Sequence, residues 1–216
     1  MAEGDQVRQL DPTLGAAVRE ELERWEREGH VGRLWRRDPS LWTSSGEERW
    51  LGWLEAAEQP SLDALEALGR EVAAEGVSDV LLLGMGGSSL APEVLGELLS
   101  TEAATRLHVL DSTDPSQIRT TLARIPLERA LIVVSSKSGT TLETACLADY
   151  LLERVRRVSG HDGAGRRCIA ITDPGSALEG FAREARFRQV WHGEPTIGGR
   201  FSALSNFGLV PAAAIG

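Results

Sequence analysis

The sequence predicts an α/β protein: a parallel sheet of about five strands flanked by helices, with a helical N-terminal extension. Three observations predict it. Short apolar runs alternate with amphipathic segments from Ser78 onward. Those runs are almost continuously hydrophobic, the mark of parallel strands covered on both faces. The first third, by contrast, carries apolar residues at helical spacing.

The extension comes first, over residues 1–60. Asp11-Pro12 predicts a helix start, with Asp as N-cap and Pro at the first helical position. Leu14, Val18, Leu22 and Trp25 then fall on one face. Five of the six tryptophans (Trp25, Trp35, Trp42, Trp50, Trp53) lie in this third. They read as the means by which an arm packs onto a core rather than as a binding surface. RLWRRDPSLWTSSG, from Arg33 to Gly46, reads as an irregular connector. Ser61 caps a helix with Leu62, Leu65, Leu68 and Val72 on its inner face, and Gly76 is placed to end it.

The second domain is expected over 61–216. Val80–Met85 (VLLLGM) predicts a buried strand, followed by a Gly/Ser turn and a helix carrying Leu90, Val94, Leu95, Leu98 and Leu99 inward. Leu107–Asp111 is a second strand. Asp114-Pro115 with Gln117 starts the next helix as a capping-box variant. Ala130–Ser136 is a third strand, leading to a long helix with Leu142, Leu147, Leu151, Val155 and Val158 inward. Cys168–Thr172 is a fourth. Asp173-Pro174-Gly175-Ser176 turns into a helix with Leu178, Phe181 and Ala182. Arg188–His192 is a weak fifth strand.

Composition narrows the function. Asp and Glu outnumber Lys and Arg by 32 to 23, a formal charge of −9. That speaks against non-specific nucleic-acid binding and against attraction to an anionic membrane, while leaving a small anionic ligand open. Cys146 and Cys168 show no metal or redox spacing and read as two reduced core thiols in a cytoplasmic protein. The polar N-terminus shows no leader, and no run reaches the length of a membrane span. No metal site or cofactor is expected.

In open α/β sheets ligands bind beyond the carboxyl ends of the strands, and two loops there are informative. GMGGSSL (Gly84–Leu90) lets the backbone approach a ligand and turns helix-start amides toward an anion. It is neither a Walker loop nor a hydrolase elbow, and Ser89 stands where a dinucleotide fingerprint needs its third glycine. With Asp111 following a strand, a dinucleotide reading stays open as the rival. SSKSGTTLET (Ser135–Thr144) clusters five hydroxyls beside free helix-start amides, a donor set suited to a phosphate monoester. It also holds Lys137, the single lysine of the sequence; the other 22 basic residues are arginine. A third stretch, IGGRFSALS (Ile197–Ser205), gives Arg200 glycine room, and a permanently charged guanidinium suits charge stabilisation.

Together GMGGSSLAPE, LDSTDP, SSKSGTTLET and IGGRFSALSNFGLVPAA resemble, in order, the first sugar-isomerase domain of the glucose-6-phosphate isomerase family, over about residues 30–216. The resemblance implies a flavodoxin-like sandwich of the sugar-isomerase (SIS) type. It implies that Ser136, Lys137, Ser138 and Thr141 hold a sugar phosphate, that Gly87 and Ser88 lie against the sugar, and that Arg200 stabilises an enediolate. The family's catalytic Glu lies in a second isomerase domain, with a His and a Lys further on. His30, His108, His161 and His192 lie outside such contexts, and Glu143 reads as serving the helix dipole. The expected partners are therefore a sugar phosphate, glucose 6-phosphate or fructose 6-phosphate, and a second isomerase domain of a parent chain; a homodimer is compatible. The chain reads as a fragment that does not isomerise alone. A non-catalytic sugar-phosphate sensor is the alternative within the same domain type. RLWRRDPSLW further resembles the version fused behind transaldolase.

Overall fold

The structure, a computed structural model, describes residues 11–58, 61–99 and 105–216. The polar stretch Met1–Leu10, read above for a leader, lies outside them. The chain divides into two compact units, Met1–Leu51 and Gly52–Gly216.

The first unit holds α1 (Pro12–Glu28) and α2 (His30–Trp35). Asp11 caps α1 as expected, its carboxylate accepting from the Thr13 amide at 2.9 Å, and Gly29 ends it in the left-handed region at φ 63°. The predicted apolar face is a correction. Leu14, Leu22 and Trp25 are exposed, as are Trp35 and Trp50. Trp25 instead meets the edge of His30 and donates to Glu21 at 2.9 Å.

The second unit opens with a 3₁₀ segment, Gly52–Glu58, and then follows the predicted alternation. Its elements are α3 (Leu62–Ala74), β1 (Asp79–Gly84), α4 (Leu90–Leu99), β2 (Arg106–Leu110), α5 (Pro115–Leu122), β3 (Ala130–Ser135), α6 (Leu142–Ser159), α7 (His161–Ala164), β4 (Cys168–Thr172), α8 (Ala177–Glu184), β5 (Gln189–His192) and α9 (Asn206–Ile215). A 3₁₀ turn, Gly199–Leu204, joins β5 to α9. All four strand pairings are parallel, and the strand order is β2-β1-β3-β4-β5. This is the flavodoxin-type order, whose switch point lies between β1 and β3.

Strand periodicity splits the core into two layers. Leu81, Leu83, Ile132 and Val134 point to one side, against Leu147, Leu151 and Val155 of α6 and Leu178 and Ala182 of α8. Val80, Leu82, Leu131, Val133, Ile169 and Ile171 point to the other, against Leu65, Leu68 and Val72 of α3 and Phe207, Val210 and Ala214 of α9. The alternation is the period of two that an extended backbone imposes. The sequence pattern does not predict α9. Apolar on every side, it is a buried helix that carries Pro211 inside it and is capped by Ser205.

Several inward assignments need correction. On α4, Leu90, Val94 and Leu98 are exposed, while Pro92 and Gly96 face inward. A Cβ on Gly96 would come within 2.9 Å of Leu107, so the helix approaches the sheet by its small residues and turns its bulky stripe outward. Leu62, Leu142 and Val158 lie near helix ends and are exposed. The capping-box variant also differs. Asp114 does accept from Ser116 and Gln117, both at 2.9 Å, but its own amide donates to Ser112 Oγ at 3.1 Å rather than to Gln117. Cys146 is exposed; only Cys168 is a core thiol. No helix among the described residues is long and apolar enough to cross a membrane.

Candidate functional site

β1 and β3 are neighbours in register, Gly84 opposite Ser135. The glycine loop and the hydroxyl loop therefore leave the same rim of the sheet side by side, at the switch point. This follows from topology alone, and it is where an open α/β sheet places its ligand.

The glycine loop closes as a 3₁₀ turn, Gly86–Ser88. The Ser88 amide donates to Met85 O and the Ser89 amide to Gly86 O. Gly86 needs its glycine for backbone reasons, at φ 56°. Gly87 needs it for space: a Cβ there would lie 2.6 Å from the carbonyl carbon of Gly199 and closer still to its oxygen. Ser202 Oγ donates to Gly199 O at 2.7 Å. The turn that carries Arg200 is thus seated backbone-to-backbone on the glycine loop. Gly86, Gly87, Gly198, Gly199 and Arg200 line one open cleft with Leu90 and Phe201. Arg200 is exposed. Phe201 stacks on Trp53 with ring centres 5.6 Å apart.

The hydroxyl loop is pre-arranged by its own side chains. Ser136 Oγ accepts from the Gly139 amide at 3.2 Å and donates to Thr141 Oγ1 at 3.3 Å. Ser138 and Thr140 hydroxyls lie 2.9 Å apart. Gly139, at φ 69°, presses so close to the start of α8 that a Cβ would meet the Leu178 amide at 2.5 Å. Thr141 occupies the N-cap of α6 but makes no side-chain cap bond. The first-turn amides of an 18-residue helix are then left to other acceptors, with the positive end of the helix dipole behind them. Thr144 Oγ1, in that first turn, and Ser135 Oγ at the strand end are buried without a partner.

Lys137 lies at this rim, but its ammonium is engaged. Nζ donates to Asp173 Oδ2 at 2.6 Å, to Glu194 O at 3.1 Å and to Pro195 O at 3.3 Å. Its carbonyl accepts from the Asp173 amide at 3.1 Å. Sequence reasoning does not single out Asp173, Trp53, Phe201 or Ser202 as neighbours of the site. The DPGS turn after β4 is a usable signal for Asp173, since it too leaves the carboxyl rim.

Two histidines of the second unit pair with carboxylates, and one of them, His192, ends β5 at this same carboxyl rim. His108 Nε2 lies 2.8 Å from the fully buried Asp79, at the opposite end of β1. Burial raises the Asp79 pKa, but bonds from Ser78 and His108 and the charge of Arg106 outweigh it and hold the group below its ordinary value. His192 pairs with Glu179 at 3.0 Å and His30 with Glu28 at 2.7 Å. Glu143 is exposed in the first turn of α6.

A parallel sheet in flavodoxin order, helices on both faces, and two donor-rich turns at its switch point define a doubly wound α/β domain. The phosphoglucose isomerase family model matches residues 66–216, and the chain belongs to that family. It is 40% identical over 148 residues to a glucose-6-phosphate isomerase of Rippkaea orientalis, covering 65% of this chain and 26% of that protein. It is 35% identical over 188 residues to one of Acaryochloris marina, covering 84% and 35%. Among solved structures, a hypothetical protein from Thermus thermophilus superposes with a TM-score of 0.75 at 32% identity, covering 91% of this chain and 46% of that one. A glucose-6-phosphate isomerase from Chlamydia trachomatis gives 0.60 at 30% identity, covering 85% and 34%. The chain thus spans between a quarter and a half of the length of these relatives.

Proposed function

We propose that this chain forms the sugar-phosphate-binding half of a glucose-6-phosphate isomerase. The parent enzyme interconverts glucose 6-phosphate and fructose 6-phosphate by moving a proton between C1 and C2 through a cis-enediolate. The phosphate sits at Ser136, Ser138 and Thr141 with the first-turn amides of α6, and Lys137 belongs to the same turn. Gly87 and Ser88 lie along the sugar. Arg200 faces the developing enediolate, where a fixed positive charge lowers the barrier. The proton-transferring base comes from a second isomerase domain of the parent chain, so this fragment binds without turning over. Residues 61–216 make up the binding domain and 1–60 an extension. The likeness of Arg33–Trp42 to transaldolase-fused versions supports a transaldolase ahead of it, in a cytoplasmic enzyme.

One observation carries the reading. Both donor loops leave adjacent strands at the switch point, and Gly199 seats the Arg200 turn on Gly87. Calorimetric titration with fructose 6-phosphate, with NAD and unphosphorylated fructose as comparators, tests it. Binding of the phosphate ester alone is expected. Replacing both Ser136 and Thr141 by Ala should weaken it at least about tenfold, since each bond to a charged group is worth ~1.5–3 kcal/mol. NAD binding without fructose 6-phosphate binding would overturn the proposal, and clear turnover by the purified chain would overturn its assignment of the base.

A further inference from the structure

We propose that Asp173 is a positioning residue, acting through Lys137 to hold the Arg200 turn in register with the phosphate loop. The inference rests on the reading above, in which 136–141 takes the phosphate and Arg200 the enediolate.

The argument starts from valence. An ammonium has three N–H donors and no acceptor. Those of Lys137 reach one carboxylate oxygen and two consecutive main-chain carbonyls, Glu194 and Pro195. The ion pair is three-quarters or more shielded on both sides, at 24% and 20% side-chain exposure. A planar guanidinium cannot converge its donors on such a tripod, which gives a chain that otherwise uses arginine a reason to keep this lysine.

The partners matter more than the bond count. Lys137 follows β3, Asp173 follows β4, and Glu194 and Pro195 follow β5. One side chain therefore ties three adjacent rim loops together. From Pro195 the chain runs through Thr196 to Ile197, which is buried and whose amide donates to Glu194 O at 3.0 Å. Two residues later Gly199 rests on Gly87. The ring of contacts closes from the phosphate loop, through Asp173 and Lys137, to the arginine turn and back to the glycine loop. With Lys137 matched by Asp173, the phosphate is left to neutral donors and the helix dipole. The ammonium sets geometry.

The test uses the single lysine as a reporter. With the N-terminal amine blocked, Lys137 acylation is compared in the native and urea-unfolded chain, and amide exchange is followed over residues 194–201 with 130–135 as the internal reference. Wild type should acylate at least about tenfold more slowly when native, as expected for a charge-assisted bond. D173N should remove most of that protection. D173N and K137M should both speed exchange over 194–201 and leave 130–135 unchanged, while K137R should behave like K137M. The positioning role is read with two ligands. D173N should weaken arabinonate 5-phosphate, whose carboxylate imitates the enediolate, more than it weakens fructose 6-phosphate.

Unchanged exchange over 194–201 in both variants, or native acylation as fast as unfolded, would overturn the latch, and the second outcome needs no variant to fold. Equal loss of both ligands in D173N would overturn the positioning role. If wild type binds neither phosphate ester yet D173N still loosens 194–201, the latch stands and the sugar-phosphate reading falls.

Discussion

Substituting Gly87 by Ala tests the seating of the arginine turn most directly. The added Cβ would stand 2.6 Å from the Gly199 carbonyl carbon and 3.1 Å from its Cα. Ordinary contact begins at ~3.4 Å, so the two backbones must part by about 1 Å, because no flexible side chain is there to yield. Overpacking of this kind costs ~1–3 kcal/mol. At ~2 kcal/mol the melting temperature of a domain of this size should fall by about 4–8 °C. The larger effect should be on ligand affinity, because a turn displaced by ~1 Å takes Arg200 out of hydrogen-bond range, and a lost bond to a charged group costs about tenfold or more. Gly76→Ala is the control. It precedes β1, at the end of the sheet away from the site, with open space around it but a φ of 67°, so it should lose ~1 kcal/mol of stability and keep its ligand affinity. The assay is thermal melting in parallel with titration by arabinonate 5-phosphate. A Gly87→Ala protein melting within ~1 °C of wild type, or a Gly76→Ala protein that loses as much affinity, would refute the reasoning.

Three further outcomes follow from the packing and the charges. The Glu179 carboxyl is held at about 2, below its ordinary 4.5, by the Gly175 amide first and then by His192 and Arg183. Because its folded pKa is depressed, its contribution is fully present above pH 4.5 and is lost as pH falls toward 2; urea unfolding of E179Q should show a flatter acid limb in that window. Burial pushes the Cys168 thiol up to about 12 against the opposing charge of Arg156, so a native thiol assay should read Cys146 alone, with Cys168 appearing in urea and C146S leaving no fast thiol. Leu151→Ala, at a fully buried position, should cost ~2–5 kcal/mol in urea titration. Leu142→Ala, on the same helix but exposed, should stay within about 0.5 kcal/mol of wild type.

The sheet is legible because parallel strands are written as short, nearly pure apolar runs. β4 falls where CIAIT places it, and the other four strands shift by no more than one residue at either end. The helix faces are less legible. Apolar spacing says which residues share a face, but not whether that face meets the sheet. On α4 the bulky stripe of Leu90, Val94 and Leu98 and the small stripe of Pro92 and Gly96 are both periodic, and close approach to Leu107 decides for the small one. α9 is illegible for a different reason. A helix buried all round has no polar face to set its period, and Pro211 argues locally against it. Capping is readable wherever a single carboxylate or hydroxyl suffices, at Asp11, Ser61 and Asp114. It fails at Gln117, where two side chains compete for one amide.

The candidate site shows the same division between local and long-range information. The loops at 84–90 and 135–144 announce themselves because glycine and hydroxyl residues at strand ends are costly unless a turn or a ligand uses them. What joins them lies at sequence distances no local pattern encodes: Lys137 to Asp173 across 36 residues, Lys137 to Glu194 across 57, Ser202 to Gly87 across 115. In the sequence the lysine stands out as a compositional oddity, and a ligand is the shortest explanation for a cation within a turn of hydroxyl residues. Its three donors favour another account. A point charge able to satisfy a carboxylate and two carbonyls at once is suited to fastening loops. A phosphate turn made of hydroxyls and helix amides can bind its anion without a free cation beside it.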